Sequence, residues 1–457
     1  RGELQLLYIS PERLLQAETQ YLISDMRVSL LAIDEAHCIS SWGHDFRPEY
    51  ARLGSLKDLL PRVPIIALTA TADKITRFDI AKQLRLAQPK VFISSFDRPN
   101  LSLSVRPAQK RIEQIIDLIK TRKQESGIIY CLSRKTTEDV AQKLVNAGIS
   151  AACYHAGLST QEREQRQDDF LFHKIHVMVA TIAFGMGIDK SNVRFVIHYN
   201  VPKNLEGYYQ EIGRAGRDGL PGQTILFYSV HDAITLRSFI EQSSEKEMQL
   251  SKLERMQQYA QSLQCRRRML LSYFNEHTDV NCGNCDVCIN PPTVFDGTTI
   301  AQKALSALAR LKESVGLHML IDVLRGSKRA EIKERGYDQI QTYGAGHDIA
   351  ADDWQQYLLQ LLNLGLIEVA YHKGHTLSIT PNGKDVLLGR RMVSLVHPSD
   401  LNARQAQEKV RYAKQAKATH SYGPLFEKLR ACRAQIAAEL SVPAYIIFSD
   451  ATLAHMA

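Results

Sequence analysis

The first half of the chain alternates short apolar runs with longer, charge-bearing segments, and this alternation constrains the fold more than any other feature. Such runs, separated by connections of helix length, are typical of a parallel sheet covered by helices on both faces. The pattern stalls at residues 96–100, which contain Pro99, and we take this joint as the boundary between two α/β units. The runs are Leu4–Ile9, Leu30–Ile33, Ile65–Thr69, Val91–Phe96, Gly127–Leu132, Ala151–Tyr154, Val177–Thr181, Phe195–Tyr199 and Thr224–Tyr228.

Composition places the chain among globular proteins. Of its 457 residues, 44% are hydrophobic and 23% are charged, which excludes a disordered, collagen-like or coiled-coil chain. No window holds the roughly 18 uninterrupted apolar residues that span a bilayer, and the first residues do not form a signal peptide. We therefore expect no membrane partner. The formal net charge of +8 indicates an anionic partner instead.

The second half of the chain has a different organisation. Residues 231–275 have the pattern of helices, and residues 296–390 are typical of a small helical domain closed by a hairpin. Residues 402–420, rich in Gln, Ala and Lys, have the composition of a solvated linker. In the hairpin, Leu366–Tyr371 and Thr376–Thr380 flank His372–His375.

Four of the eight cysteines cluster in one stretch: Cys265, Cys282, Cys285 and Cys288. Four thiolates suit a closed, tetrahedral structural zinc site, and the few remaining cysteines indicate a reducing compartment. An iron–sulfur cluster is the alternative, because Cys-x₂-Cys-x₂-Cys also begins the bacterial ferredoxin run. That run needs a further Cys at position 292, which is Pro. Unliganded cysteines are the third interpretation.

Two carboxylates follow an apolar strand at Asp34 and Glu35, with His37 close behind. In nucleotide hydrolysis, one such carboxylate holds Mg²⁺ and its neighbour polarises the attacking water. A charged strand end without catalytic function has the same pattern.

An aromatic loop comes directly after this strand end and contains Trp42, His44, Phe46 and Arg47. Aromatic faces and guanidinium planes stack on unpaired bases, so the loop is a candidate single-strand contact. The alternative is that Trp42 and Phe46 are core residues that fix the loop.

Two arginines, Arg214 and Arg217, lie three apart among glycines after Gln210. They are interpreted as donors to a phosphate whose charge grows in the transition state. Upstream, Gly187 and Asp189 follow an apolar strand, where the backbone is able to approach phosphate closely.

Together these motifs resemble a known family. Asp34-Glu35-Ala36-His37, Thr69-Ala70-Thr71 and the segment Gln210–Arg217 are similar to the ordered signature of superfamily-2 helicases. The loop Ser41–Arg47 and the segment Tyr154–Leu158 narrow the resemblance to the RecQ family of DNA helicases.

The resemblance implies a fold of class α/β with two RecA-like parallel-sheet lobes, the first of them truncated, and ATP bound between the lobes. A helical zinc-binding subdomain, a winged-helix domain, a linker and a partial helical C-terminal module of the HRDC type follow. The bounds that we expect are 1–96 and 97–230 for the lobes, 231–293 for the zinc subdomain, 294–395 for the winged helix, 396–420 for the linker and 421–457 for the last module.

The resemblance also assigns roles to residues. Asp34, Glu35 and His37 serve Mg²⁺ and water, while Gly187, Asp189, Gln210, Arg214 and Arg217 face the nucleotide. The DNA contacts that it implies are Trp42, His44, Phe46, Arg47, Ser133, His155 and Thr181. The cofactors are ATP, Mg²⁺ and structural Zn²⁺. The partners are single-stranded and forked DNA and a single-strand-binding protein, in the nucleoid of a bacterial cytoplasm.

One departure from the family pattern concerns the phosphate loop. The family needs a loop that ends in Gly-Lys-Ser/Thr, but the only Gly-Lys pair, Gly383-Lys384, is followed by Asp. The family places that loop upstream of Arg1, and the chain does not begin with Met, so we expect a piece of a longer protein.

The sequence therefore predicts a 3′→5′ DNA helicase of repair and recombination, with negligible ATP hydrolysis by this chain alone. Two alternatives stay open, a non-hydrolysing nucleic-acid-binding module and an RNA helicase of the wider superfamily. The hairpin at His372–His375 either separates strands or only closes its domain.

Overall fold

The computed structural model describes residues 4–40, 46–122, 124–182, 184, 189–241, 246–370, 376–398, 423–440 and 442–457. The chain divides into two compact units. The first extends to Phe96 and includes Tyr273–Glu276, and the second comprises Asp97–Ser272 and His277–Ala457. Within the described part of the chain, no helix has the length and apolar character needed to cross a membrane.

The first unit holds two short parallel strands, β1 and β2, in which Leu31 pairs with Ile65. Leu14, Ile33 and Leu56 are among the buried side chains that form its core. The strands are β1 (Leu31–Ile33) and β2 (Ile65–Ala67), and the helices are α1 (Pro11–Leu14), α2 (Ala17–Ser24), α3 (Pro48–Arg52), α4 (Leu56–Leu59) and α5 (Lys74–Gln83).

Two strands predicted for this unit are wrong. Leu4–Ile9 and Val91–Phe96 both run as loops, and their side chains are largely exposed, with Tyr8 at 88% and Phe92 at 90%. An apolar run becomes a strand only where a neighbour supplies partners for its N–H and C=O groups. Because β1 and β2 pair only with each other in the described residues, neither run has such a neighbour.

The second unit contains a parallel sheet of six strands in the order β3-β8-β7-β4-β6-β5. This sheet confirms the predicted α/β class. Its strands are β3 (Leu101–Pro107), β4 (Ser126–Tyr130), β5 (Ala151–Tyr154), β6 (Val177–Ala180), β7 (Val193–His198) and β8 (Gly222–Tyr228). The helices that accompany it are α6 (Arg111–Thr121), α7 (Arg134–Asn146), α8 (Thr160–Leu171) and α9 (Leu205–Ile212).

Strand β3 was not predicted, although it forms the edge of the sheet. Buried Leu101, Leu103 and Val105 alternate with half-buried polar side chains along it. Such alternation is typical of a strand with one face in the core, whereas the predicted strands were identified as continuous apolar runs. The central strands β4, β6 and β7 do have that continuous character and are buried throughout.

Three helices and a short turn of helix follow the sheet, as the pattern of residues 231–275 predicts. They are α10 (Val230–Ile240), α11 (Lys246–Gln261), α12 (Arg266–Tyr273) and α13 (Asp286–Ile289). Tyr259 of α11 is fully buried, and its hydroxyl lies 3.4 Å from that of Tyr208 on α9. These helices therefore share a core with the sheet.

A small helical domain with its own core comes next. At its centre the indole N–H of Trp354 donates to the carbonyl of Gly346 at 2.8 Å. Its helices are α14 (Thr298–Arg310), α15 (Leu317–Arg325), α16 (Ala330–Glu334), α17 (Ala351–Asn363) and α18 (Pro381–Leu387). Its strands are β9 (Val294–Asp296), β10 (Ile367–Ala370), β11 (Thr376–Ile379) and β12 (Ser394–Val396).

The predicted hairpin is present, since β10 and β11 pair antiparallel with Ile367 opposite Ile379. Its loop, with His372 and His375, lies outside the described residues, as does most of the predicted linker. The last helices are α19 (Pro424–Glu439), α20 (Ala444–Ile447) and α21 (Asp450–Met456). Arg433 ties them together through the Phe448 carbonyl at 2.6 Å and Asp450 at 2.7 Å.

Candidate functional site

The end of β1 carries the two adjacent carboxylates. Asp34 is exposed, and the backbone N–H of Glu35 donates to Asp34 Oδ1 at 2.9 Å. Glu35 has a φ of +49°, a backbone conformation that non-glycine residues adopt rarely and that is concentrated at functional sites. The strand end thus presents one accessible carboxylate next to a second one held by a tight backbone turn.

A histidine connects this strand end to the end of β2. The buried His37 ring has Nδ1 3.3 Å from a Glu35 carboxylate oxygen and 3.0 Å from Thr69 Oγ1. The Thr69 hydroxyl also accepts the backbone N–H of Thr71 at 3.2 Å. His37 therefore links the carboxylate pair to the end of the second strand through Thr69, the first residue of the motif Thr69-Ala70-Thr71.

Only part of the predicted aromatic loop is described. Trp42 and His44 lie outside the described residues. Phe46 is 36% exposed, and the backbone N–H of Arg47 donates to the Cys38 carbonyl at 3.0 Å. The backbone of Arg47 thus contacts the 3₁₀ turn Ala36–Ile39 that follows the carboxylates.

Three predicted DNA contacts follow the carboxyl ends of three neighbouring strands of the six-stranded sheet. Ser133 comes after β4, His155 after β5 and Thr181 after β6. Ser133 is exposed and caps α7 by accepting the N–H of Thr136 at 3.1 Å. His155 is buried, with Nε2 3.0 Å from Glu138. Because parallel strands end at the same edge, all three residues belong to one edge of the sheet.

The arginine pair follows α9 in the same unit. Arg214 is buried and Arg217 is partly exposed, and Arg217 Nη1 lies 3.3 Å from Asp189. Burial lowers the pKa of Arg217, and the neighbouring Arg214 lowers it further. Two guanidinium groups this close favour a bound anion. Gln210 is half-buried on α9, and Gly187 lies outside the described residues.

Tyr130 is a further residue of this site that the sequence alone does not reveal. Its buried hydroxyl donates to the Phe184 carbonyl at 3.0 Å and lies beside the Arg214 guanidinium. Burial raises the pKa of Tyr130, so the phenol keeps its proton. Tyr130 thus connects the segment before Asp189 to Arg214, although in the sequence it is simply one residue of an apolar strand.

The four clustered cysteines meet in space. Their sulfur atoms all lie within 4.8 Å of one another, and those of Cys282 and Cys288 are 3.9 Å apart. Tetrahedral zinc with Zn–S bonds of about 2.3 Å places its sulfurs about 3.8 Å apart, so the arrangement fits zinc.

The cysteine cluster is attached to the exposed edge of the sheet. Asp286, next to Cys285, accepts the backbone N–H of Val105 on β3 at 3.0 Å. The same carboxylate forms a buried ion pair with Arg266 at 3.0 Å. The metal site therefore covers the edge strand that no other strand covers.

These groups together define the chemistry that is available. The first unit carries adjacent carboxylates at a strand end, and the second carries an arginine pair. Both kinds of group are used in phosphoryl transfer. Family models agree. Residues 1–78 match the DEAD/DEAH box helicase model and residues 110–219 match the helicase conserved C-terminal domain. The fold and the site thus define an ATP-dependent helicase.

Further models specify the type of helicase. Residues 230–289 match RecQ zinc-binding, residues 291–404 the RQC domain and residues 423–457 the HRDC domain. The chain is 46% identical to the ATP-dependent DNA helicase RecQ of Pasteurella multocida over 100% of this chain and 72% of that protein. The RecQ of Haemophilus influenzae is 44% identical (100% and 74%) and that of Bacillus subtilis 38% (100% and 75%).

The chain belongs to the RecQ family of ATP-dependent DNA helicases. Its cofactors are accordingly ATP with Mg²⁺ and a structural Zn²⁺ held by the four cysteines, and its macromolecular partner is nucleic acid. Zinc bound by Cys265, Cys282, Cys285 and Cys288 would tie the start of α12 to α13.

Proposed function

We propose that the chain serves a helicase that moves 3′→5′ along one DNA strand in repair and recombination. The observation that carries the proposal is that each unit holds one set of groups used in phosphoryl transfer, Asp34 and Glu35 in the first and Arg214 and Arg217 in the second. ATP hydrolysis supplies the energy for translocation. A location on the bacterial nucleoid and contact with a single-strand-binding protein follow from this DNA substrate.

The DNA track that we propose uses the edge of the sheet where β4, β5 and β6 end. Ser133, His155 and Thr181 all follow strands that end there. A hydroxyl and an imidazole on a strand end are suitable donors to phosphate oxygens. Trp42, His44, Phe46 and Arg47 supply the stacking contacts that unpaired bases need. The lobes are residues 1–96 and 97–230 in this proposal, with the zinc, winged-helix and HRDC units following at the predicted bounds.

We also propose that the 457-residue chain by itself hydrolyses ATP negligibly. No Gly-Lys-Ser/Thr sequence occurs in it, and that loop supplies the backbone N–H groups and the lysine that hold the β- and γ-phosphates. Without those donors the nucleotide loses most of its contacts. DNA-stimulated turnover of this chain is the test, with the Pasteurella multocida relative as the positive control. Turnover equal to that of the relative would show the proposal to be wrong.

Direction and substrate are tested by strand displacement. The protein is joined to a phosphate-loop segment and given forked DNA, forked RNA, and partial duplexes with either a 3′ or a 5′ tail. We expect displacement on DNA with the 3′ tail. Equal displacement on RNA would favour the wider RNA-helicase class, and preference for the 5′ tail would contradict the direction.

A non-hydrolysing DNA-binding module is the second candidate. Its support is that the six-stranded sheet and the winged-helix domain each have a core of their own. The cysteine cluster lies between them in the sequence, and all three fall within residues 97–398. This candidate predicts the same DNA affinity with and without ATP for the chain joined to a phosphate loop. The helicase proposal predicts an affinity that changes with the bound nucleotide.

A further inference from the structure

The segment Asp97–Asn100, where the chain leaves the first unit, forms hydrogen bonds with the loop that follows α9. We call this loop, residues 213–222, the arginine loop. Arg98 Nη1 donates to one backbone carbonyl of that loop at 3.2 Å, and Nη2 donates to two more at 3.0 and 3.1 Å. The three acceptors are Gly213, Ala215 and Gly216. All three oxygens lie beside the arginine pair in the sequence, so one guanidinium holds the backbone around Arg214.

Asn100 holds the same loop at its far side. Its Nδ2 donates to the carbonyls of Gly216 and Leu220, both at 2.9 Å. Gly216 has a φ of +56°, and a Cβ there would lie 2.5 Å from Asn100 Nδ2. A glycine is therefore required for this approach. The backbone N–H of Gly222 completes the contact by donating to the Asn100 carbonyl at 2.9 Å.

The guanidinium of Arg98 is well suited to this contact. The last carbonyls of a helix have no partner within the helix, and a cation near that end interacts favourably with the helix dipole. In the described part of the chain, no carboxylate forms an ion pair with Arg98, so its donors are directed at backbone oxygens. Hydrogen bonds from a charged donor are stronger than neutral ones.

The remaining sides of the loop are held independently. Asp218 accepts two hydrogen bonds from Arg194 of β7, both at 2.6 Å, and Gly216 N–H donates to the Val193 carbonyl at 2.9 Å. Those contacts fix the loop to the sheet. The contacts from Asp97–Asn100 instead join the loop to the segment that directly follows Phe96, where the chain first leaves the first unit.

We propose that Arg98 and Asn100 are positioning residues for Arg214 and Arg217. They hold the carbonyl oxygens on both sides of Arg214 and so fix the direction of both guanidinium groups. Arg98 lies two residues after Phe96, where the chain passes from the first unit into the second. We call the hydrogen bonds from Arg98 and Asn100 to residues 213–220 the clamp. The catalytic consequence rests on the proposed function, whereas the existence of the clamp does not.

Amide hydrogen exchange of the 457-residue chain tests the clamp. The variants are Arg98→Ala, Arg98→Lys and Asn100→Asp, which places a carboxylate against two carbonyl oxygens. We expect exchange in residues 213–222 to become about tenfold faster or more in Arg98→Ala and Asn100→Asp. Lysine should restore part of the protection, and β4 should be unaffected. Unchanged exchange in residues 213–222 would overturn the proposal.

The matched control is Arg122→Ala. Arg122 is half-buried like Arg98 and donates to the side chains of Glu125 and Gln223 at 2.8 Å, not to a backbone carbonyl of residues 213–222. This control shows whether the loss of any half-buried guanidinium in the unit has the same effect. If Arg122→Ala also releases residues 213–222, the clamp has no specific role and the proposal fails.

Kinetics of the Pasteurella multocida relative test the catalytic consequence. Alanine at the position aligned with Arg98 should lower kcat for DNA-stimulated ATP hydrolysis by about 10–100-fold, since small misplacements of a catalytic group have effects of this size. The KM for ATP should stay within about twofold, since the phosphate loop is untouched. An unchanged kcat would contradict the proposal that Arg98 positions the arginine pair. A decrease in kcat no larger than the decrease in the fraction of folded protein would also contradict it. Failure of the unsubstituted relative to hydrolyse ATP would instead contradict the proposed function and leave the exchange result to decide the clamp.

Discussion

At the scale of single residues, the Arg194–Asp218 pair is the ion pair most completely removed from water. The two side chains are 5% and 0% exposed. Removing one partner of a buried pair leaves an uncompensated charge, at a cost of about 3–5 kcal/mol. We therefore expect Asp218→Asn to lower the free energy of unfolding by about that amount in urea denaturation.

The exposed pair Lys174–Asp169 in the same unit is the control for Asp218→Asn. Its atoms are 3.4 Å apart and the lysine side chain is 69% exposed, so Lys174→Ala should change the unfolding free energy by less than about 1 kcal/mol. Equal effects of the two substitutions would show that burial of the Arg194 pair does not determine its contribution.

His173 makes stability depend on pH. Lys190 Nζ and Asn192 Nδ2 approach its Nε2 at 3.0 and 3.2 Å, and both are donors, so the ring accepts and is neutral. Burial, followed by the Lys190 charge, lowers the pKa of His173 from 6.5 to about 2, with smaller contributions from Arg430, His176 and Arg433. The unfolded chain therefore takes up a proton below pH 6.5 that the folded chain excludes, and stability falls as the pH drops from 6.5.

His173→Asn isolates this contribution, because asparagine tolerates the φ of +61° at that position. The parent should lose stability relative to the variant by up to about 1.4 kcal/mol per pH unit below 6.5. Urea denaturation at pH 7.5, 6 and 5 measures the difference. For the control His347→Asn, at an exposed position, the free energy of unfolding should depend on pH as it does in the parent. The same pH dependence in His173→Asn and the parent would contradict the prediction.

Residue types predict chemistry better than they predict contacts. The sequence indicates the carboxylates, the arginine pair and the cysteines because each needs a particular side chain at a particular spacing. Tyr130 and Arg98 could not be found this way. They act on backbone oxygens and on a buried guanidinium, which depend on how strands and loops fold together. The only sequence signal for Arg98 is its place in the joint between the two units.

At the scale of elements, the zinc site should hold α12 and α13 on the edge of β3. Cys285→Ser removes a buried ligand, so we expect loss of the metal and faster proteolysis of residues 266–289. Faster amide exchange in β3 should accompany it, because Val105 N–H donates to Asp286. Chelation of the parent should have the same effects.

Metal analysis by mass spectrometry, limited proteolysis and hydrogen exchange measure these effects. Cys432→Ser is the matched control, since Cys432 is exposed on α19 and outside the cluster. Iron and sulfide in the parent instead of zinc would overturn the metal assignment. Intact β3 exchange after metal loss would show that the edge strand does not depend on the site.

The strands differ in how far the sequence alone predicts them, because a strand also needs a neighbouring strand to pair with. Strands β4, β6 and β7 are buried along their whole length and mostly apolar, so their apolar runs predict them. Residues 4–9 have the same apolar character but run as a loop, because strand formation also requires a paired neighbour. The alternating edge strand β3 shows the reverse case, in which a neighbour is present but the continuous apolar signal is absent.

At the scale of the whole molecule, the net charge of +8 has its counterpart in DNA phosphates. Neutralising phosphates releases counterions, so log K falls with log salt by about 0.7 per contact on a single strand. For about five contacts, we expect the affinity of this chain for single-stranded DNA to fall about 100-fold between 50 and 200 mM salt.

Substitution then separates the kinds of contact. Loss of an arginine that binds phosphate should reduce the slope of log K against log salt by the amount that one contact contributes. Phe46→Ala should weaken binding but leave that slope unchanged, because stacking releases no counterions. Fluorescence anisotropy of a labelled oligonucleotide over a salt series measures both the affinity and the slope.

Arg47→Ala and Phe46→Ala are the variants to compare, since Phe46 and Arg47 are adjacent in the loop. If both variants changed the slope equally, the loop would not combine stacking with phosphate contact. If the affinity of the parent for DNA did not depend on salt, the excess positive charge would not be binding DNA phosphates.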